Sequence, residues 1–128
     1  MTTAPNSKIA TIHRLQEALS RRDKAAFLDF FAPDIEYHYH VGTRPLIGRE
    51  WVSKFITKYW ADNANSTWVI ERHAEAGDFV MTEGREEYVN ASGDIVIHRY
   101  MGVITFGTDG RITDWKDYFQ MADPNAAR

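Results

Sequence analysis

The sequence predicts an α+β fold, helices packed on one face of a curved antiparallel sheet, and three observations predict it. Apolar residues recur every three or four positions up to about Trp60, the period of a helix. From Ser66 onward they alternate with polar ones, the period of a strand. Ala76-Gly-Asp78, Asn90-Ala-Ser-Gly93 and Gly107-Thr-Asp-Gly110 divide that second half, and turn residues at such spacing make consecutive hairpins.

Ser7 can cap a first helix whose Ile9, Ile12, Leu15 and Leu19 form one apolar stripe. Asp23 can cap a short second helix, with Phe27, Phe30 and Phe31 inward and Pro33 closing it. Ile35 to Val41 reads as a short strand and Gly42 to Gly48 as a loop. A third helix follows from Arg49 to Trp60, its buried stripe made of Trp51, Phe55 and Tyr59. Four strands complete the fold, near Thr67 to Ala74, Phe79 to Val89, Ile95 to Phe106 and Arg111 to Met121. Residues 1–128 read as one domain, with 1–6 and 124–128 expected to fray.

Composition narrows the function. The 128 residues contain no Cys, which excludes a thiol nucleophile, a disulfide framework and a Cys-based metal site. A net charge of -3 with acids and bases interspersed offers no basic stripe for a phosphate backbone, so nucleic acid is not an expected partner. The opening Met1 to Ser7 has neither the basic nor the apolar region of a secretory signal, and no run reaches membrane-spanning length. A cytoplasmic protein without a membrane partner is expected. Aromatic residues make up 13% of the chain, a supply suited to a ligand pocket or a subunit interface. The outward strand face of Ile97, Met101 and Val103 predicts a homodimer.

Strand parity selects the candidate site residues. Trp115, Asp117 and Phe119 share a face, so one carboxylate sits between two aromatic rings. Burying it there costs several kcal/mol unless it is bonded or put to chemical use; a structural acid bonded to backbone or a Tyr is the competing reading. On the preceding strand His98 and Tyr100 face the same side, and Leu19 of the first helix joins Trp115, Phe119 and Tyr100 as pocket lining. Tyr37 and Tyr39 share one face of the first strand, two phenols able to hold a water or a substrate oxygen. His38 and His40 share the other, a thin basis for a metal site, and none is assigned. In Glu83-Gly-Arg-Glu-Glu87 the Val80, Thr82, Gly84, Glu86, Tyr88 parity turns Glu86 inward, whereas a bulge at Gly84 would turn Arg85 and Glu87 inward instead.

Residues Ile9 to Phe31, the segment Ala32-Pro-Asp-Ile-Glu-Tyr37 and above all Gly110-Arg-Ile-Thr-Asp-Trp-Lys-Asp-Tyr-Phe119 resemble the nuclear transport factor 2-like (SnoaL-like) superfamily, nearest its limonene-epoxide hydrolase branch. The resemblance implies a cone of three helices under the curved sheet. It also implies an acid at Asp117 paired with a second acid on a middle strand, and a water-holding Tyr at Tyr37; Tyr39 stands where that branch has Asn. The branch writes its middle strand Arg-x-Asp. Here Glu86 takes the acid's place if Gly84 replaces the Arg and leaves room there, or Arg85 and Glu87 match after a shift of one residue. The isomerase branch resembles the Val41 to Gly48 loop, but its general-base Asp falls on Tyr39. The dehydratase branch uses two sheet histidines, to which His73 and His98 roughly correspond, without the Asp expected around Ser20.

The expected function is cofactor-independent general acid-base chemistry on a small apolar molecule, with epoxide hydrolysis first and cyclisation, isomerisation or dehydration next. Asp117, Glu86, Tyr37, Tyr39 and His98 would carry it. A non-catalytic binder of a hydrophobic molecule is the alternative from another class.

Overall fold

The computed structural model describes residues 7–119; the ends expected to fray, and Met121 at the end of the last expected strand, lie outside them. Ser7 caps α1 (Lys8–Ser20), its hydroxyl accepting the Ala10 N–H at 3.2 Å. The helix buries Ile9, Ile12, Leu15 and Ala18. Two polar contacts join it to β3 (Ala64–Ala76): the Ile9 N–H donates to Glu75 Oε1 at 2.8 Å and Gln16 Nε2 donates to the Trp68 carbonyl at 2.8 Å. Glu75 thereby satisfies one of the donors that the first turn of a helix leaves open.

Asp23 caps α2 (Lys24–Asp29), accepting from the Ala26 N–H at 3.1 Å. This helix is shorter than expected, and β1 (Phe31–His38) begins at Phe31 instead of Ile35. Proline disfavours helical backbone in the residue before it, so Ala32 is driven extended and the helix ends early. Pro33 then falls where the β1 register shifts between Phe31 and Glu36, a place where its missing N–H costs little. The expected loop contains the two-residue β2 (Leu46–Ile47), followed by α3 (Arg49–Asp62).

The sheet runs β2-β1-β6-β5-β4-β3, with β4 (Phe79–Val89), β5 (Ile95–Phe106) and β6 (Ile112–Phe119) completing it. It is curved and unclosed. Strands β3 to β6 pair antiparallel as expected, but β1 lies parallel to β6, with Tyr37 opposite Trp115. The sheet is therefore mixed, not wholly antiparallel. Turn residues report only on strands joined by short turns, and most of the chain separates β1 from β6.

Phe31, Ile35, Val80, Ile104 and Ile112 from the sheet meet Ile12, Leu15, Phe27 and Val52 from the helices in the core. On α3 the buried residues are Val52 and Ile56; the expected stripe does not hold. Trp51 is 56% exposed, with the Lys54 ammonium 4.5 Å from its ring, and Phe55 and Tyr59 line a cavity, Tyr59 also packing against the core. Aliphatic side chains pack the helix, leaving its rings to line space. The sheet's strands carry the ion pairs Arg72–Glu83, Arg85–Glu87 and Arg99–Glu71. Among them Ile97 and Met101 are exposed as expected, whereas Val103 is half-buried. No helix among the described residues is long and apolar enough to cross a membrane.

Candidate acid-base site

A cavity of about 1320 Å³ lies between the helices and the inner face of the sheet. Asp117, Glu86, Tyr37, Tyr39 and His98 line it, and so do Trp115, Phe119, Tyr100 and Leu19. Alternation along the strands brings most of them to one face. Leu19 reaches it from α1, at the edge of the buried stripe.

Asp117 is buried opposite Gly102 of β5. A Cβ at Gly102 would stand 2.5 Å from Asp117 Oδ1, so the missing side chain makes room for the carboxyl. Two residues back on the same face, Trp115 Nε1 donates to Asp117 Oδ1 at 3.0 Å. The other oxygen has no hydrogen bond among the described residues. Burial pushes the pKa up to about 8; the Trp115 bond opposes part of that rise and the Glu86 charge adds to it.

Glu86 sits opposite His98 on the neighbouring strand, and its Oε1 accepts from the Tyr59 hydroxyl at 3.3 Å. Burial raises its pKa as well, while the Tyr59 bond works against the rise. The other reading of this strand is excluded, because Arg85 Nε holds Glu87 Oε1 at 2.9 Å and neither residue lines the cavity. The irregularity lies across from Gly84, in β3 between Ile70 and Arg72. Gly84 does not leave room for an Arg: its Cβ would stand 1.9 Å from the Val69 carbonyl oxygen, so β3 backbone occupies that space.

The Tyr37 ring packs 5.4 Å from Trp115 and edge-on to Phe55 at 5.7 Å. Burial first, then the Asp117 and Glu86 charges, hold its hydroxyl protonated, which keeps it a hydrogen-bond donor. The Tyr39 ring lies 4.9 Å from Phe55. The Tyr100 hydroxyl accepts from Trp68 Nε1 and sits 3.2 Å from Thr82 Oγ1, with burial pushing its pKa up to about 12. His98 Nε2 is 3.3 Å from the Tyr88 hydroxyl, and its ring lies 5.5 Å from Phe119.

His38 and His40 do not share a face. Strand β1 ends at His38, whose Nε2 is 2.8 Å from Glu36 Oε1, and past that point His40 turns onto Phe119 at the cavity wall. Away from the cavity, Glu36, His38 and Asp114 offer ligand atoms within 4.8 Å of one another, and Lys116 Nζ, 3.8 Å from Asp114 Oδ2, competes for that carboxylate. His73 is exposed and does not line the cavity, so it cannot act with His98. Sequence reasoning missed Phe55 and Tyr59, assigned to core, and Trp68, whose parity with the buried side of β3 was available.

Residues 12–115 match the SnoaL-like domain family. No curated protein matches the chain. Among solved structures, a protein of unknown function from Burkholderia pseudomallei described as nuclear transport factor 2-like is 22% identical, with 92% of each chain covered and a TM-score of 0.80. An epoxide hydrolase of the limonene-epoxide hydrolase-like type from Mycobacterium tuberculosis is 24% identical over 88% of this chain and 82% of that one, TM-score 0.77. A second Mycobacterium tuberculosis protein, in complex with estradiol-17β-hemisuccinate, is 16% identical over 89% and 94%, TM-score 0.80. At these identities the likeness establishes the nuclear transport factor 2-like fold, the fold implied by the resemblance of Ile9 to Tyr37 and Gly110 to Phe119. With the family matched over most of its length, the chain belongs to the SnoaL-like domain family.

Proposed function

We propose that the chain is a cofactor-independent acid-base enzyme acting on an apolar molecule with an electrophilic carbon, and that hydrolysis of an epoxide to a diol is the reaction its site fits. One observation carries this: two carboxyl groups, Asp117 and Glu86, face one aromatic cavity and differ in burial. Asp117, the more deeply buried, holds its proton near neutrality and serves as the acid. Glu86, half-buried and hydrogen-bonded by Tyr59, serves as the base.

In the reaction Glu86 takes a proton from water, the water oxygen attacks an epoxide carbon, and that carbon's bond to the ring oxygen breaks. Asp117 gives its proton to the departing oxygen, with Tyr37 as a further donor. Proton return from Glu86 to Asp117, directly or through solvent, resets the pair. The epoxide hydrolase among the structural neighbours supports this reading. A pH-rate profile over a panel of apolar epoxides tests it. The expected profile is a bell whose acidic limb is Glu86 ionisation and whose alkaline limb falls near pH 8, as Asp117 gives up its proton. A rate that keeps rising well past that point would remove Asp117 from the acid's role.

The cavity volume favours a second reading. At about 1320 Å³ it exceeds the roughly 300 to 1,000 Å³ of ordinary small-molecule pockets, which suits a bulky hydrophobic ligand held without chemistry. The neighbour bound to estradiol-17β-hemisuccinate supports that alternative. Saturable binding of bulky apolar molecules, with no turnover of any epoxide, would decide for it.

Gly102→Ala separates positioning from stability. The new methyl group would press mainly on the far end of the Asp117 side chain and more lightly on the Lys116 carbonyl oxygen 3.3 Å away, so the melting temperature should fall less than a close backbone clash would cause. Turnover should fall about tenfold to a hundredfold, because the carboxyl moves off its line to the substrate. Unchanged turnover would mean that the carboxyl position does not matter.

The assembly we propose is a homodimer through the reverse side of the sheet, where Met81, Ile97, Met101 and Tyr118 are 40% to 58% exposed. Sedimentation velocity should give twice the chain mass at micromolar concentration. Single-chain mass there would reject the dimer.

A further inference from the structure

The cavity's charge is as unusual as its volume. Its wall contains Glu86 and Asp117, with the exposed Glu17 of α1, but no lysine. Its one guanidinium, Arg99, is held by Glu71 at 2.9 Å and is more than half exposed. No wall imidazole bonds either inner acid: His98, opposite Glu86 across the strands, bonds Tyr88, His40 lies on the Phe119 ring, and His13 bonds Gln16 on the exposed side of α1. Neither inner acid has a cationic partner among the described residues, and each has a pKa raised by burial. A buried carboxylate without a counter-charge is costly, and anything that brings a positive charge to it recovers that cost.

The rings around Glu86 have a matching arrangement. Phe55 and Tyr59 follow each other along α3, nearly parallel at 19° with centroids 6.4 Å apart. Tyr88, on the same strand face as Glu86, meets Tyr59 at 70° and 5.6 Å. Two walls of π-surface thus stand close to a right angle, with the carboxylate beside them and the Tyr59 hydroxyl on its Oε1. Aromatic faces are electronegative and attract cations that shed water easily. A methylated ammonium fits both demands, since its methyl groups touch rings without needing acceptors and its charge answers Glu86. A primary ammonium holds its water more strongly and gains less from the rings, and an anion would face two inner acids.

We propose that the corner formed by Phe55, Tyr59, Tyr88 and Glu86 binds the methylated ammonium group of an otherwise apolar ligand. This deepens the assignment of the cavity as a ligand site and rests on it, but not on turnover. Titration calorimetry with three molecules of one shape tests it: 4-hydroxyphenyltrimethylammonium, 4-tert-butylphenol and 4-hydroxybenzenesulfonate, cationic, neutral and anionic in turn. The cation should bind about tenfold tighter than the neutral phenol, and the anion weakest. In Glu86→Gln the cation's advantage should fall toward unity, with 4-tert-butylphenol binding as the check that the cavity is intact. Neutral binding equal to or tighter than cationic binding overturns the inference and leaves the ligand site standing. A cation preference that survives Glu86→Gln also overturns it, because the charge is then read elsewhere. Failure of all three probes to bind the folded protein defeats the inference and the ligand-site assignment together.

Discussion

Asp117→Asn is expected to lower turnover by about a thousandfold or more while the protein folds normally. The amide keeps the carboxyl's shape and can accept the Trp115 N–H through its oxygen, but it cannot give a proton to a leaving oxygen, a step worth about 10² to 10⁴ in rate. The stability of the variant supplies an independent check. Wild-type Asp117 has a folded pKa raised to about 8, above its unfolded value, so the folded state binds the proton more tightly than the unfolded state does. Stability from that proton is complete below about pH 4, where both states are protonated, and is lost as pH rises toward 8. The asparagine cannot ionise and escapes that loss. Wild type and variant should therefore melt alike in acid, and the variant should melt higher in mild alkali. An inactive variant with no such divergence would show that the carboxyl does not carry a raised pKa, and its role as a resting acid would fall with it. Full activity in the variant would make Asp117 a structural group.

How much of this site the sequence shows depends on where each residue gets its orientation. Asp117, Glu86 and His98 lie inside strands, where alternation alone decides the face, and the parity of Val80, Thr82, Gly84, Glu86 and Tyr88 is legible residue by residue. His40 lies two residues past the end of β1. There the alternation has stopped and the parity argument extrapolates over nothing, so the expected His38 and His40 pair separates. Phe55 and Tyr59 fail for another reason: helical period finds a stripe, but two stripes share α3, and only the three-dimensional neighbours show that Val52 and Ile56 are the buried ones while the two rings stay half-buried along the cavity. The parallel pairing of β1 with β6 is a contact between distant segments, to which no local pattern speaks. Gly84 and Gly102 are visible in the sequence as glycines inside strands, a mark of close approach. What approaches them is not visible, and the nearest atoms differ: a side-chain oxygen at 2.5 Å from the Gly102 Cβ position and a backbone carbonyl oxygen at 1.9 Å from that of Gly84.

That difference makes Gly84→Ala the substitution with the largest expected cost to the fold. Its methyl group would stand 1.9 Å from the Val69 oxygen, 2.9 Å from the Val69 carbonyl carbon and 3.2 Å from the Ile70 Cα, all of them backbone atoms. No rotamer relieves such contacts, so β3 itself must move. β3 is the edge strand of the sheet, and its Val69 and Ile70 pair directly with Arg85 and Gly84 next to the register shift that precedes Arg72. Moving that segment breaks ladder hydrogen bonds and lifts Trp68 and Ile70 from the core they pack against. Overpacking typically costs about 1 to 3 kcal/mol and occasionally more, and a clash against unyielding backbone belongs at the upper end. For a domain of this size that should lower the melting temperature by roughly ten degrees, or prevent folding. The damage should also reach the site, because the Trp68 indole that donates to the Tyr100 hydroxyl moves with the strand. Amide hydrogen exchange should show β3 losing protection first, ahead of β5 and β6. An alanine variant as stable as the parent, with β3 still protected, would show that the two strands do not approach as closely at Gly84 as described, and the wall of the cavity between Trp68 and Glu86 would have to be redrawn.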